Sequence, residues 1–461
     1  MKLYSIRPAL LLISLLAMTS MDAQEMFKPF KTPVESAIQH NKSIQNAMLE
    51  NQKVVLDQQA VKGKSLPHLS VNALYGYLHT GVDVDIPART LPITGITLFE
   101  ESAKGNFSTH AFASGLTATQ VIFSGLQISN GQKALEQKYK AQTLMTEASY
   151  DALAQEIITS FDQLMLLKEV DLLINDSERR LQKEHQKVIK AIENGVAIPY
   201  DRDKIKLAML ELESKRAEVQ SNRELLYFKL EELTGLASEE LQKIDYTLEV
   251  MLLTDDAMAM NRKELQALEA SQKAYEYLLK KEKGAQLPQV FAFGNLSYLN
   301  AFNARTTLKD VASLGDVTLK TNHVQLAPAY GVGVGLRWSI FDGKAHHTAI
   351  EKAKIDLQIN ENKLEDTREK LNLLQRKTKS DYDLGLKKIA VHQQQMIIAK
   401  NNLHLASRQF EEGLLDVTER LAAENEYYKQ SLSYYNQILN QRLAATELLK
   451  ANGNLYQTII R

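Results

Sequence analysis

The chain has 461 residues, a formal net charge of −1 and no cysteine. Its length allows about three average domains, and its balanced charge gives no bulk attraction to nucleic acid or to anionic lipid. The lack of cysteine excludes disulfides, thiol chemistry, cysteine-ligated zinc and an acylated N-terminal cysteine. Glycine and proline are few for this length, which favours long regular elements.

Residues 1–23 are typical of a secretory signal. Lys2 and Arg7 give a positive start, and the apolar run from Ala9 to Met18 is too short to span a bilayer as a helix. A short buried helix is the alternative. We expect cleavage near Ala23 and an exported chain. No later apolar run reaches the ~18 residues that a transmembrane helix needs.

The two halves of the chain share landmarks in the same order, which indicates an internal duplication. The pairs are Asn41 and Asn261 at a separation of 220 residues, Pro67 and Pro288 at 221, Phe123 and Phe341 at 218, Gly195 and Gly413 at 218, and Arg202 and Arg420 at 218. We place the first repeat at 24–240 and the second at 241–461. Residues 236–260 break the pattern and are interpreted as a linker or a small added element.

Helical periodicity dominates both repeats. Shorter helical stretches cover about 28–65 and 261–286, and long helices are predicted over 128–234 and 344–452, each interrupted by a glycine turn. Apolar residues recur every three, four or seven positions, as in packed helices. One continuous helix over 128–193 would span roughly 100 Å. The pattern therefore predicts a rod or a tube.

Alternating stretches separate the helices and predict four strands. These strands are placed at about 68–79, 109–123, 289–300 and 329–341. Each has about ten or more residues, which is enough for a tilted strand to cross a membrane. Apolar residues on one side, small or polar residues on the other and aromatic residues toward the ends fit a transmembrane β-barrel. A soluble hairpin on a helical rod is the alternative.

Four strands cannot close a barrel, and an open edge in lipid would leave backbone groups unpaired. The smallest closed barrels need about eight strands. Several copies of the chain must therefore share one barrel.

No enzymatic or metal site is expected. The "GVGVG" segment at 331–335 lies inside a strand, so we interpret its glycines as small strand residues and not as a phosphate loop. His346 and His347 are adjacent, whereas helical metal ligands usually stand three or four residues apart. Acidic pairs near 201 and 411 are interpreted as solvated helix ends, with an ion-sensitive pore ring as the alternative. We predict no catalytic residue and no cofactor.

The chain resembles the TolC-type outer-membrane efflux proteins, also called outer membrane factors. The resemblance covers the mature chain and rests on the tandem repeat, the LP before a strand, the F-x-G after a strand, and two glycine turns followed by an acidic residue. It implies a homotrimer in the bacterial outer membrane, with a twelve-stranded barrel and a large periplasmic helical extension. It also implies an exit duct for a tripartite efflux pump or type I secretion system, carrying small molecules or proteins.

The resemblance also implies partners and sites. The partners are a periplasmic adaptor, an inner-membrane transporter of the RND, ABC or MFS type, and outer-membrane lipid. Helices pass into strands at Pro67 and Pro288, and strands pass into helices at Phe123, Gly125, Phe341 and Gly343. The periplasmic tips that dock the adaptor would contain Gly195, Asp201, Arg202, Gly413, Glu419 and Arg420.

The chain departs from the family where the periplasmic end would close. Asp201 matches the acidic member of the family's latch, but the arginine position is Leu415 and the tyrosine position is Phe410. Of the two acidic positions at the aperture, one matches Glu419 and the other falls at Ala422. The salt-bridge latch cannot form as such.

Asp416 and Glu419 are our aperture candidates. They lie three residues apart, so we expect them on one face of the helix after Gly413. A three-fold axis would gather six carboxylates, which predicts a cation-preferring channel. The alternative is that both residues point to the adaptor or into solvent. For the whole chain, the competing function is a surface structural or adhesion coiled coil without transport.

Overall fold

The computed structural model describes residues 26–85, 94–95, 102–254, 260–311 and 315–460. A 3-10 turn at Lys28–Phe30 precedes the first helix. The elements that follow are α1 Lys31–His40, α2 Lys42–Gly63, β1 His68–Asp85, β2 Ser102–Phe123, α3 Gln127–Glu193, α4 Pro199–Thr234, α5 Ser238–Leu241, α6 Lys263–Gly284, β3 Gln289–Val311, β4 Gly315–Arg337, α7 Ala345–Glu411, α8 Val417–Asn452 and α9 Leu455–Ile460. Among the described residues, no helix has both the length and the apolar composition needed to cross a bilayer.

The described chain divides into two compact units. A helical unit contains the described residues up to Gln52 together with Tyr139–Ser271 and the part from Glu361 onward. A sheet unit contains Lys53–Lys138 and Gln272–Asn360.

The two pairs of long helices have matching lengths. Helices α3 and α7 each have 67 residues, and α4 and α8 each have 36. The predicted long helices are therefore confirmed, with ends within one or two residues of those expected. Equal lengths are what a duplication predicts, and the duplication itself stays a prediction.

The core of the helical unit follows the three-and-four spacing of α3. Leu153, Ile157, Phe161 and Leu164 are all buried, since residues at this spacing share one helix face. They pack in one cluster with residues of the N-terminal segment and of α8, which include Phe30, Leu448 and Leu449. A second cluster continues along α3, α4 and α8 and contains Ile174, Leu181, Ile205 and Val219.

The described part of the predicted linker packs against the helical unit through residues 246–251. After α5, the backbone N–H of Met251 donates to Gln441 Oε1 at 2.9 Å, and Gln441 Nε2 donates to the Met251 carbonyl at 2.7 Å. Tyr246 Oη donates to Asp162 Oδ1 at 2.6 Å. Arg442 lies 2.7 Å from the same carboxylate oxygen and donates through Nη1 to the Glu249 carbonyl. These contacts hold the segment against α3 and α8.

The sheet is antiparallel with the order β1-β2-β3-β4. Four strands were predicted, but three of them are longer than expected at the end away from the helices. Strand β1 continues to Asp85, β2 begins at Ser102, and β3 continues to Val311. Strand β4 begins at Gly315, so most of the segment expected to be loop is also paired strand. The prediction was too short because it followed apolar alternation, whereas ladder hydrogen bonds also form between polar residues such as Thr307 and Thr318.

Strand β4 also ends earlier than predicted. Arg337 pairs with Gln289, the first residue of β3. Pro288 precedes that residue and offers no N–H to a ladder. Residues 338–341, which were predicted to be strand, therefore lie outside it.

Strand alternation gives the sheet two distinct faces. The Tyr330 face contains the predicted apolar series, with Val71, Tyr75, Tyr330 and Val332 all more than 60 % exposed. On the Gly331 face, Ser70, Thr117, Asn295 and Gly331 form one cross-strand row of small and polar residues. Nearer the helix junctions on this face, the rings of Phe293 and Phe291 lie over Gly333 and Gly335.

The C-terminal helix α9 is held to α3 by a buried carboxylate. Asp151 accepts a hydrogen bond from the backbone N–H of Tyr456 at 2.7 Å. Burial raises the pKa of Asp151 to about 6, with a further rise from Glu264, while the Tyr456 N–H, Arg262 and Lys450 oppose the shift.

We expect Asp151 to make the protein less stable as the pH rises from about 4 to 6. The folded state binds the proton more tightly than the unfolded state, whose carboxyl has a pKa near 3.8. Its contribution to the free energy of unfolding is therefore present below about pH 4. This contribution, about 3 kcal/mol, is lost as the pH rises through the pKa of the folded state. Asp151→Asn should remove this component, because an amide does not titrate in this range. Its oxygen can still accept the hydrogen bond from the Tyr456 N–H.

The measurement is the unfolding midpoint of wild type and variant in detergent from pH 4 to pH 7. The difference between the two proteins should change over pH 4 to 6 and stay constant above it. A difference that does not depend on pH would show that Asp151 titrates normally.

Candidate functional site at the hairpin tips and strand–helix junctions

Two helix hairpins end in the same kind of turn. Gly195 joins α3 to α4 with φ 71°, and Gly413 joins α7 to α8 with φ 73°. In the first turn the N–H of Val196 donates to the Ala191 carbonyl, and in the second that of Leu414 donates to the Gln409 carbonyl, both at 2.8 Å. A left-handed backbone conformation at this position favours glycine. The structure thus places both predicted tip glycines at chain reversals.

The acidic residues after each turn stabilise helix starts. Asp201 Oδ2 accepts from the N–H of Ile198, immediately before α4. Asp416 is the N-cap of α8, and its Oδ1 accepts from the N–H of Glu419 at 2.8 Å. That backbone hydrogen bond is the main cause that lowers the pKa of Asp416. Both carboxylates are placed where a helix N-terminus favours negative charge.

The predicted geometry of the aperture pair is wrong in one respect. Asp416 precedes α8 and folds its side chain onto the helix end, so it is not a helical neighbour of Glu419 on a shared face. Both side chains remain exposed. The pair therefore consists of one capping carboxylate and one carboxylate in the first turn of the helix.

The two predicted docking arginines have different environments. Arg202 is exposed and lies 2.7 Å from Asp203. Arg420 is only 1 % exposed and lies 3.2 Å from Glu424, one turn further along α8. A buried guanidinium cannot meet a docking partner, so we remove Arg420 from the docking surface. Its position follows from the face of α8 that packs inward, which also contains Val417 and Tyr428.

Arg420 belongs to a buried polar cluster that the sequence analysis missed. Glu424 is 3 % exposed. It accepts hydrogen bonds from Ser177 Oγ at 2.5 Å and from Arg180 Nη2 at 2.7 Å, so it links α8 to α3. Burial opposes the charge on Arg180, but Glu424 and Asp176 outweigh it and raise the pKa of Arg180. The only sequence signal was the spacing of Arg420 and Glu424, which an exposed ion pair would share.

A cleft of about 770 Å³ lies between the two hairpin tips. Its walls include Asp201, Phe410 and Leu415, the three positions that the family resemblance assigns to the latch. Two of these side chains are apolar, and the cross-hairpin polar contacts come from other residues. Lys187 Nζ lies 2.5 Å from Glu411 Oε1, and Lys204 Nζ donates to Thr418 Oγ1 at 2.6 Å.

The lysine contacts join α3 and α4 to α7 and α8 within one chain. The hydrogen bond to Glu411 raises the pKa of Lys187, and Lys187 lowers the pKa of Glu411. Both side chains are about half exposed, so the pair adds little stability by itself. The cleft wall also contains exposed apolar side chains at the tips, since Val196 is 81 % exposed and Leu414 is 71 % exposed.

The first strand–helix junction is closely packed. Gly125, with φ 65°, approaches the end of α6 so closely that a Cβ on Gly125 would lie 2.2 Å from the Gly284 carbonyl oxygen. A Cβ on Gly284 would lie 2.1 Å from the Gly125 carbonyl oxygen. Neither glycine can be replaced without moving backbone. The preceding Phe123 is the last residue of β2.

The second junction is open. Gly343 also has φ 65°, but a Cβ there would meet nothing within 4 Å. Gly63, at the end of α2, is equally open. Phe341 is 83 % exposed. Pro67 and Pro288 lie where predicted, one residue before β1 and β3.

The C-terminal part of the chain matches a known protein family. The family model described as "Outer membrane efflux protein" matches residues 256–454, which include α6 through α8. The match covers 199 of the 461 residues and relates this part of the chain to the family. This match and the solved structures together place the chain in the bacterial outer membrane with a periplasmic extension. The proteins of the matched family are channels and not enzymes. No curated protein matches the sequence.

Solved structures of outer-membrane channels have the same fold. The outer-membrane channel OprN aligns with a TM-score of 0.71 at 14 % identity, over 94 % of this chain and 92 % of its own. The CmeC outer membrane channel of Campylobacter jejuni aligns at 0.69 and 14 % identity, over 94 % and 87 %. The outer membrane protein VceC of Vibrio cholerae aligns at 0.67 and 14 % identity, over 94 % and 96 %. At this identity the likeness concerns the fold.

Proposed function

We propose that three copies of the chain form an outer-membrane exit duct of a tripartite efflux pump or a type I secretion system. The observation that carries the proposal is the four-stranded sheet, whose edge strands β1 and β4 each pair on one side only. Its Tyr330 face is apolar in the rows near the helix junctions, such as the row of Val71, Leu116, Leu296 and Tyr330. An isolated edge in lipid leaves backbone groups without partners. Three copies joined edge to edge give a closed twelve-stranded barrel with this face toward lipid.

Helix α7 carries a second surface that a further copy would cover. Leu384, Val391, Ile398 and Leu405 are spaced by seven residues and are 48, 56, 49 and 56 % exposed. Apolar residues at this spacing form the seam of a coiled coil. Packing against a neighbouring copy would bury the seam.

The two junctions support a proposal for where neighbouring copies meet. Under the duplication, Gly63 corresponds to Gly284 and Gly343 corresponds to Gly125. Gly284 and Gly125 contact each other within the chain, whereas Gly63 and Gly343 face open space. In a closed barrel, β4 of one copy lies beside β1 of the next. We therefore place Gly343 of one copy against Gly63 of its neighbour.

A cysteine pair tests this closure, since the natural chain has no cysteine. Gln127 Cγ lies 3.5 Å from the Cβ position of Gly284, and the corresponding pair is Ala345 and Gly63. The double variant Gly63→Cys, Ala345→Cys should form covalent dimers and trimers on mild oxidation, because these sites meet only between copies. Denaturing gels of outer-membrane fractions measure the products.

The matched controls are the two single-cysteine variants, which should not give a ladder of covalent oligomers. Only monomers from the double variant, with the chain present in the outer membrane, would contradict this arrangement. Purified protein that gives no ion conductance in a planar bilayer would contradict the duct itself and favour a structural coiled coil on the cell surface.

We further propose that the tips dock a periplasmic adaptor that links the duct to an inner-membrane transporter of the RND, ABC or MFS type. The exposed tip residues Gly195, Arg202, Gly413 and Glu419 and the partly exposed Asp201 would contribute to this surface. The cleft and the exposed Val196 and Leu414 support the proposal, since apolar anchors in a pocket dominate docking energies.

The aperture proposal retains Asp416 and Glu419 as a ring of six carboxylates around a three-fold axis. We expect the wild-type channel to prefer cations and to be partly blocked by divalent ions from the periplasmic side. Asp416→Asn, Glu419→Gln should weaken both effects, and asparagine keeps the helix cap. Single-channel recording in a planar bilayer measures them. Unchanged selectivity and block would remove both residues from the pore.

A further inference from the structure

The cleft between the two hairpin tips is lined mainly by acidic and apolar side chains. Among the described residues that line it, Lys187 is the only basic one. The carboxylates are those of Glu184, Asp201, Glu411, Glu412 and Asp416. The lining therefore carries a net negative charge.

Among these described lining residues, Glu184 has the one buried carboxylate. Glu184 is 6 % exposed, and its Oε2 atom accepts no hydrogen bond from any described residue. Its Oε1 atom lies 3.8 Å from Lys187 Nζ, but the same ammonium lies 2.5 Å from Glu411 Oε1. A buried carboxylate oxygen without a donor is unfavourable, and a cationic donor makes the strongest hydrogen bond to it. The cleft thus has a buried acceptor that a positively charged ligand would satisfy.

The guanidinium of Arg420 does not take this role. The hydrogen bond to Glu411 raises the pKa of Lys187, while burial and the charge of Arg420 oppose the rise, so Arg420 lies near the cleft. Arg420 nevertheless pairs with Glu424 at 3.2 Å, and in the described part of the chain it forms no ion pair with Glu184 within 4.0 Å. Glu424 holds Arg420 in its own polar cluster, and Oε2 of Glu184 is left without a donor there.

The rest of the lining suits a hydrocarbon stem. Val188 and Val417 are each 3 % exposed and form a buried part of the wall. Val196 and Leu414 extend the apolar surface to the exposed tips. Methylene groups that lie along such a wall are removed from water, which is favourable in proportion to their area.

The positions of the carboxylates set the form of the ligand. Glu184 lies nine residues before the end of α3 at Glu193, roughly 14 Å along the helix axis. Glu412 stands next to the turn at Gly413 and is exposed. A ligand that reaches both carboxylates needs two positive groups joined by several methylene groups.

We propose that the cleft binds an aliphatic diamine or polyamine. One ammonium donates to Glu184 Oε2, the methylene stem lies along the apolar wall, and another ammonium pairs with Glu412. All of these groups belong to one chain, so binding does not require the proposed duct. The cleft also contains Val196 and Leu414 of the proposed docking surface. A bound amine would therefore compete with an adaptor, and this consequence rests on the proposed function.

Calorimetric titration of the purified full-length protein in neutral detergent tests the site. Octamethylenediamine should bind once per chain near neutral pH, whereas octamethylene glycol, which has the same stem and no charge, should not bind measurably. Tetramethylenediamine has the same charge and a shorter stem, so its dissociation constant should be at least about ten-fold higher. Glu184→Gln should raise the dissociation constant of octamethylenediamine about ten-fold, because a charged hydrogen bond is lost.

Glu178→Gln is the matched control, since it removes one carboxylate from the same helix outside the cleft and should leave the dissociation constant unchanged. Lys187→Met is the second variant, and its expected effect has the opposite sign. It removes the ammonium that lies near both Glu184 and Glu411, so octamethylenediamine should bind more tightly. A gain in affinity cannot result from misfolding, so this variant keeps the test decisive if Glu184→Gln does not assemble.

Equal dissociation constants for wild type and Glu184→Gln would overturn the site, because Glu184 would then have another donor, such as Arg420. Weaker binding to Lys187→Met, or binding of the glycol as tight as that of the diamine, would overturn it as well. The two proposals fail separately. A protein that complements efflux but binds no octamethylenediamine overturns only the amine site, and one that binds the amine but is not engaged by an adaptor overturns only the docking proposal.

Discussion

Asp162→Asn is expected to lower the free energy of unfolding of the helical unit by about 3–5 kcal/mol, because it leaves the guanidinium of Arg442 without its counterion. The side chains of Asp162 and Arg442 are each 1 % exposed and lie 2.7 Å apart. Burial opposes the charge on Arg442, and Asp162 outweighs it and raises the pKa of Arg442. The same carboxylate accepts the Tyr246 hydroxyl. Unfolding midpoints in detergent measure the loss.

An exposed ion pair in the same unit supplies the matched control. Lys168 and Asp245 are 2.6 Å apart, with side chains 50 and 61 % exposed. Asp245→Asn should cost less than about 1 kcal/mol, since water already stabilises both charges. The paired replacement Asp162→Leu, Arg442→Met should recover most of the loss, because no unpaired charge remains buried. Similar midpoints for Asp162→Asn and Asp245→Asn would refute this account of the buried pair.

The second large effect is expected at the hairpin tips. Val196→Asp, Leu414→Asp should abolish efflux in a deletion strain that the wild-type chain complements, while trimers stay intact. Both side chains are more than 70 % exposed, so their replacement does not disturb the core. Each aspartate would bring an unpaired charge into the centre of a docked interface, and the loss of such anchors costs roughly 2 kcal/mol or more each. Dye accumulation in the complemented cells measures efflux.

The conservative variant Val196→Leu, Leu414→Met is the control and should complement the strain. Heat-sensitive trimers in outer-membrane fractions confirm assembly for both variants. If the double aspartate variant supports efflux like wild type at equal abundance, the tips do not dock a partner through these residues. If the conservative variant also fails, the turn conformation and not its apolar surface is what matters.

The sequence alone was sufficient for the elements whose signal is local. The three-and-four spacing from Leu153 to Leu164 predicted a buried helix face, and glycines followed by acidic residues predicted the reversals at Gly195 and Gly413. These predictions succeeded because helix periodicity and left-handed turns depend on residues within one or two helical turns. The order of helices and strands followed from the same signals, and so did the family resemblance.

The tertiary structure decided what depends on distant partners. Arg202 and Arg420 occupy matching places after two similar turns, yet one is exposed and the other is buried against Glu424 because α8 packs its face inward on α3. Gly125 meets Gly284 across 159 residues of sequence, and no local pattern marks that approach. Strand length depended on the ladder and not on apolar alternation, so the polar outer halves of the strands were missed. Burial and pairing depend on neighbours that the fold brings together from distant parts of the chain. The separation of these neighbours in the sequence has no fixed period, so no local pattern predicts it.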